Sequence, residues 1–262
     1  MSVLVCSDLD RTLIYSCAAA GPTDDVVLRC VEVYDGAPLS FVTAAAADGL
    51  VTLAEEATLV PTTTRSPEQY RRVQLPGRRP GFAITANGGR LLVDGTVDGD
   101  WSAHVAEGLA GTAPLGEVRE KLGDAGDFLL RLRTAEDLFA YAVVDRSALP
   151  AAWVDELGAW CAERGWGVSV QGRKLYCVPD GLRKSTAAAE VARRAGTTTM
   201  LAAGDSLLDT DLLLAAAAAV RPAHGELHEA GFTAPHLAVT PSSGVRAGAE
   251  VVSWLLARAS GH

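Results

Sequence analysis

The chain opens on a mostly apolar, β-branched run, Met1 to Ser7, that then meets acids: Val3-Leu4-Val5-Cys6-Ser7-Asp8-Leu9-Asp10. A short run without polar alternation is a strand buried on both faces, and such a strand needs neighbours and covering helices. The rest of the chain supplies them. Thr58–Pro61 predicts a second strand, and 198–203 and 237–240 predict two more. Between and after them the pattern predicts helices at 44–57, 67–73, 185–195 and 245–259, and an Ala/Leu helix running to Val220. Strands alternating with helices predict an α/β fold around a parallel sheet. Residues 28–42 predict a hairpin, with Asp35-Gly36 as its turn.

From Gly88 to Pro179 the texture changes. Extended runs at 90–93, 128–133, 139–144, 167–170 and 175–178 are separated by helical stretches near 105–110, 115–122 and 149–164. That pattern predicts an inserted α+β unit with its own sheet. The expected organisation is a discontinuous core, 1–86 and 180–262, interrupted by a second domain, 87–179.

Charge and composition remove several classes. A net charge of −9 argues against a nucleic-acid scaffold or a polybasic membrane binder. No apolar run approaches the length of a span, and no secretory leader is read at the start. The five cysteines form no Cys-x-x-Cys pair, which fits free thiols in a reducing cytoplasm better than a zinc site or a disulfide framework. Oligomeric state is left open. Of 23 basic residues only three are lysines (Lys121, Lys174 and Lys184), so in a chain that prefers arginine each lysine is a candidate for a specific role.

Four polar clusters fall just past a predicted strand or at a helix start. They are Asp8-Leu9-Asp10-Arg11-Thr12, then Thr63 in Thr62-Thr63-Thr64-Arg65, then Lys184, then Gly204-Asp205-Ser206-Leu207-Leu208-Asp209. In an open parallel sheet the carboxyl ends of the strands share one crevice, so these clusters are candidates to converge. Gathered carboxylates call for a cation, and oxygen ligands suit Mg²⁺. One carboxylate can attack phosphorus; a second can protonate the leaving oxygen and later deprotonate water. A hydroxyl and an ammonium can hold a transferring phosphoryl group.

In order and spacing these clusters resemble the motifs of the haloacid dehalogenase (HAD) superfamily of phosphohydrolases, beginning with Asp-x-Asp-x-Thr at Asp8–Thr12. Thr85-Ala86-Asn87-Gly88 resembles a stretch of its Cof-like, type IIB branch, where sucrose-phosphate and mannosyl-3-phosphoglycerate phosphatases belong. The 120 residues between Thr63 and Lys184 leave room for that branch's α+β cap. The resemblance implies a Rossmann-like three-layer core with an inserted C2-type cap. It also implies a Mg²⁺-dependent phosphomonoesterase forming an aspartyl-phosphate on a sugar phosphate or phosphorylated acid. Asp8 would be nucleophile and metal ligand. Asp10 would be general acid/base, with its backbone carbonyl on the metal. Thr63 and Lys184 would bind phosphate and Asp205 would ligate Mg²⁺, while Asp209 and Thr12 would support the site. Asn87, Arg131 and Arg133 are candidates for substrate specificity. A phosphomutase or phosphotransferase of the same superfamily, or a non-catalytic phosphate-binding regulatory module, stand as alternatives.

Arg11 stands where glycine is usual in that signature; it would pay a steric cost if the position needs positive φ, or otherwise could lean over the site. Thr64 replaces the common glycine before Arg65, and Leu208 an asparagine. Gly181–Ser185 lacks the glycines of a P-loop, and His224 with His228 lacks the rest of a metal motif. Arg65, Arg71, Arg72, Arg78 and Arg79 read as a solvated helix and loop.

Overall fold

The computed structural model describes residues 3–261; Met1 and Ser2, which the first predicted strand includes, lie outside the described residues. The strands Leu237–Val239, Ala218–Arg221, Thr199–Ala203, Val3–Ser7 and Thr58–Pro61 lie side by side in that order, every pair parallel. The chain leaves Val3–Ser7 for the edge at Thr58–Pro61 and later returns to its other side at Thr199–Ala203. The strand order therefore reverses at Val3–Ser7, and the crevice of an open α/β sheet lies beyond the carboxyl end of such a strand. Asp8 is the next residue.

Side chains alternate along each strand, so each face must be covered. Val3, Val5, Leu201 and Ala203 join one core with Ala46, Leu50 and Leu53 of the helix Ala44–Glu56 and Val251, Val252 and Leu255 of the helix Gly244–Ala259. Leu4, Cys6 and Ala202 point the other way and are as fully buried. The helix Thr210–Ala215 contacts the strands Thr199–Ala203 and Ala218–Arg221 and packs on the helix Lys184–Ala195. The result is the expected three-layer α/β core. Among the described residues no helix is long and apolar enough to cross a membrane.

The described chain groups into two compact units, one reaching Asp98 and resuming at Lys184, the other Gly99–Arg183. Residues 87–98, assigned to the second domain from the sequence, group with the first. They belong to a small sheet of Phe82–Thr85, Arg90–Val93 and Thr96–Val97. The turn that makes this possible is Ala86-Asn87-Gly88, with φ of 49°, 56° and 94°. Asparagine and glycine tolerate that left-handed region, whereas alanine pays for it. The second unit holds a four-stranded antiparallel sheet, ordered Trp166–Gln171, Lys174–Pro179, Phe139–Val144, Leu129–Ala135. Its helices are Gly99–Gly108, Leu115–Gly123 and Ala151–Ala162.

Candidate active site

Backbone pairing continues past the strands and places the polar clusters. Asp8 N–H donates to Ala203 O at 2.9 Å, and Thr62 N–H donates to Ser7 O at 2.8 Å. Asp8 and Thr63 thus lie just beyond neighbouring strands, which run about 4.8 Å apart. Thr63 is buried; its N–H donates to Ile84 O at 2.8 Å and its Oγ1 accepts from Arg65 N–H at 3.2 Å. The Ala86–Gly88 turn docks on the same loop. Asn87 N–H donates to Thr63 O at 3.0 Å and Ala86 N–H to Arg65 O at 2.7 Å. Asn87 is buried at this turn, and its left-handed backbone gives the sole asparagine a structural reason to be there.

Lys184 opens its helix with a fully buried side chain. Its Nζ donates to Asp8 Oδ1 at 2.8 Å and to Asp209 Oδ1 at 2.5 Å. Burial opposes its charge, but Asp209 and Asp8 outweigh burial and hold the ammonium more firmly than in water. Asp209 in turn accepts at Oδ2 from the N–H groups of Asp205 and Ser206 and from Ser206 Oγ, at 3.2, 3.0 and 2.8 Å. It thereby ties the ammonium to the Asp205 loop. Gly204 permits this: a Cβ there would come within 2.4 Å of Asp209 Cγ.

The carboxylates of Asp8, Asp205 and Asp209 offer oxygens within 4.8 Å of one another, all buried. Burial pushes the Asp8 carboxyl up to about 7 against the pull of Lys184. Burial, then the charges of Asp8 and Asp209, push Asp205 well above the ordinary carboxylate range. Lys184 balances only one of the three. Oxygen-only donors one or more charges short are what a small divalent cation compensates, so the residues fit Mg²⁺. With Asp209 engaged by four protein donors, Asp8 and Asp205 are the carboxylates with oxygens to offer it.

Asp10 is turned elsewhere. Arg65 grips it as a fork, Nε to Oδ2 at 2.7 Å and Nη2 to Oδ1 at 2.8 Å. Arg65 also donates from Nη1 to Glu32 Oε1 at 2.8 Å, and Glu32 accepts from Ser40 Oγ at 2.6 Å and Arg72 Nε at 3.3 Å. Arg65 and Glu32 are buried. The solvated-face expectation therefore fails for Arg65. Its position in a run of arginines conceals it; the signal that could find it is the Thr-x-Arg spacing just after a strand. Glu32 carries no such signal, being one charge on a hairpin that pairs Leu28–Tyr34 with Ala37–Thr43.

Arg11 does both things left open for it. Its φ is 64°, which costs a non-glycine residue roughly 1 kcal/mol, and its Nε lies 3.3 Å from Asp205 Oδ2. The strain is held by three contacts. Arg11 N–H donates to Ile14 O at 2.8 Å, while Tyr15 Oη and His224 Nε2 meet Arg11 O at 2.7 and 2.8 Å. His224 Nδ1 accepts from Gly244 N–H at 3.1 Å, so the ring proton sits on Nε2 and donates. Thr12 orders the loop through its backbone, with N–H to Leu9 O at 3.2 Å; its buried hydroxyl has no partner among the described residues. In the second unit, Arg131 and Arg133 lie exposed on the strand Leu129–Ala135.

The fold is that of the HAD phosphatases. The sucrose-phosphatase of Synechocystis sp. PCC6803, solved with sucrose and phosphate, superposes with a TM-score of 0.69 at 19% identity, over 97% of this chain and 98% of that one. A subclass IIB sugar phosphatase of the superfamily gives 0.60 at 12% identity over 98% of each chain. A superfamily phosphatase from Bacteroides thetaiotaomicron gives 0.55 at 13% identity, over 97% of this chain and 95% of that one. No protein-family model matches the sequence, and no curated protein matches it.

Proposed function

We propose that the chain is a Mg²⁺-dependent phosphomonoesterase acting through an aspartyl-phosphate on a small phosphorylated metabolite, a sugar phosphate or a phosphorylated acid. The observation that carries this reading is the buried Lys184 bridging Asp8 and Asp209 beside Asp205, beyond the strand at which the sheet order reverses. The fold shared with sugar phosphatases supports it.

Asp8 attacks phosphorus with the oxygen that Lys184 leaves unused, and the ester oxygen departs with a proton from Asp10. Asp10 then takes a proton from water, which displaces the phosphoryl group from Asp8 and regenerates the carboxylate. Thr63 Oγ1 and Lys184 Nζ bind the phosphoryl oxygens. Mg²⁺, held by Asp8, Asp205 and the Asp10 carbonyl, would neutralise the negative charge gathered at phosphorus. Asp209 keeps Lys184 and the Asp205 loop in place, and Thr12 orders the first loop. The inserted unit, Gly99–Arg183, would form the cap, and Asn87, Arg131 and Arg133 are candidates for reading the substrate. The cysteines are free thiols, which fits a cytoplasmic setting.

Purified protein with MgCl₂, offered an aryl phosphate and a panel of sugar phosphates and phosphorylated acids, should release inorganic phosphate. Transfer to an acceptor with no release would assign a mutase or phosphotransferase. No turnover of any ester would leave the hydrolase reading without support.

A further inference from the structure

Arg11 holds a left-handed backbone, φ 64°, and aims a cation at Asp205, a carboxylate that the proposed metal needs. Its side chain is one-third exposed, while that of Asp205 is 5% exposed. The aim is not accidental slack. Tyr15 and His224 clamp the Arg11 carbonyl from two elements, and Gly225 lets the chain close on Asp205: a Cβ there would lie 2.4 Å from Asp205 Oδ2. Lys184 serves Asp8 and Asp209, and among the described residues Arg11 is the cation paired with Asp205.

We infer that Arg11 is a resident countercharge on Asp205 that Mg²⁺ must displace, so that this chain holds its metal more weakly than the bare carboxylates would. The inference rests on the phosphatase reading for its metal. Two positive charges cannot share one small carboxylate without repulsion, and the magnitude follows from an ion pair at the edge of solvent. Before the metal enters, the guanidinium keeps Asp205 from standing unbalanced in a buried acidic cluster. When the metal enters, the partly exposed side chain swings toward solvent while the clamped backbone stays.

Two measurements test this. Isothermal calorimetry of Mg²⁺ binding should show Arg11→Gln binding roughly three- to tenfold tighter than the wild type, since the strained φ persists and the charge is lost. In the wild-type protein, the Arg11 Nε–H resonance, assigned by its loss in that variant, should move and broaden as Mg²⁺ is added, with no variant needed for the titration itself. Equal or weaker affinity in a folded Arg11→Gln protein, or an Nε–H signal unmoved at saturating Mg²⁺, overturns the inference. If either result comes with phosphatase activity intact, the hydrolase reading stands and this inference alone falls. No Mg²⁺ binding by either protein overturns both.

Discussion

Two ionic networks meet at the first loop, and they differ in kind. The inner one, Lys184 with Asp8 and Asp209, is dry, and its links run between residues 25 and 176 positions apart. The outer one, Asp10 with Arg65, Glu32, Ser40 and Arg72, ends on a carboxylate 43% exposed and hangs on a hairpin. In the proposed reaction the inner network would fix the nucleophile in place. In that reaction the outer one would grip the proton carrier, Asp10, through Arg65. The fork of two charge-assisted hydrogen bonds from Arg65 fixes the orientation of the Asp10 carboxylate as well as its place.

The comparison can be broken from either side. The largest effect is expected at the nucleophile: Asp8→Asn should lower kcat by roughly 10⁴-fold or more, read by phosphate release, with folding preserved by circular dichroism. Lys184→Met should be nearly as silent and should also destabilise the fold by about 3 to 5 kcal/mol in urea titrations, because it leaves two buried carboxylates without their countercharge. A Lys184→Met protein as stable as the wild type would contradict the inner network as drawn. The outer network should be softer. Arg65→Lys keeps the charge and loses the fork, so kcat should fall by roughly ten- to a hundredfold with KM little changed and a smaller loss of stability. An equal loss of stability in both variants would erase the distinction.

The smallest effect concerns the clamp on Arg11. Burial lowers the His224 pKa below the ordinary 6.5. The unfolded chain then binds a proton that the folded one refuses. The stabilisation is complete above about 6.5 and is lost as pH falls toward the folded value. Thermal midpoints at pH 7.5 and 5.5 should show the gap between wild type and His224→Gln narrowing at the lower pH. An unchanged gap would mean that the imidazole is not held neutral.

How much is legible in the sequence follows the same divide. Asp8, Thr63, Lys184, Asp205 and Asp209 can be picked out because each ends a strand or opens a helix, and a parallel sheet turns those ends to one side. Their roles in turnover come from the phosphatase reading. Arg65 lies in a run that looks solvated, and only burial against Asp10 and Glu32 singles it out. Glu32, Tyr15 and His224 act through the folded path of the chain, which no local spacing reveals. The strand 90–93 reads as part of the insert because the left-handed turn at Ala86–Gly88, which folds it back onto Phe82–Thr85, is a backbone event with a faint sequence sign. Arg11 stands out as a departure, but its choice between strain and contact is visible only once φ and the Asp205 distance are known together.

The central claim is that Asp8 carries the phosphoryl group. The most direct test uses Asp10→Asn, which should still accept a phosphoryl group from an aryl phosphate, whose leaving group needs little protonation, yet should lose it slowly to water. Rapid quenching followed by peptide mass spectrometry should find one phosphoryl group on Asp8 and none when Asp8→Asn is added. A phosphoryl group on any other residue, or turnover that persists without Asp8, would contradict the account.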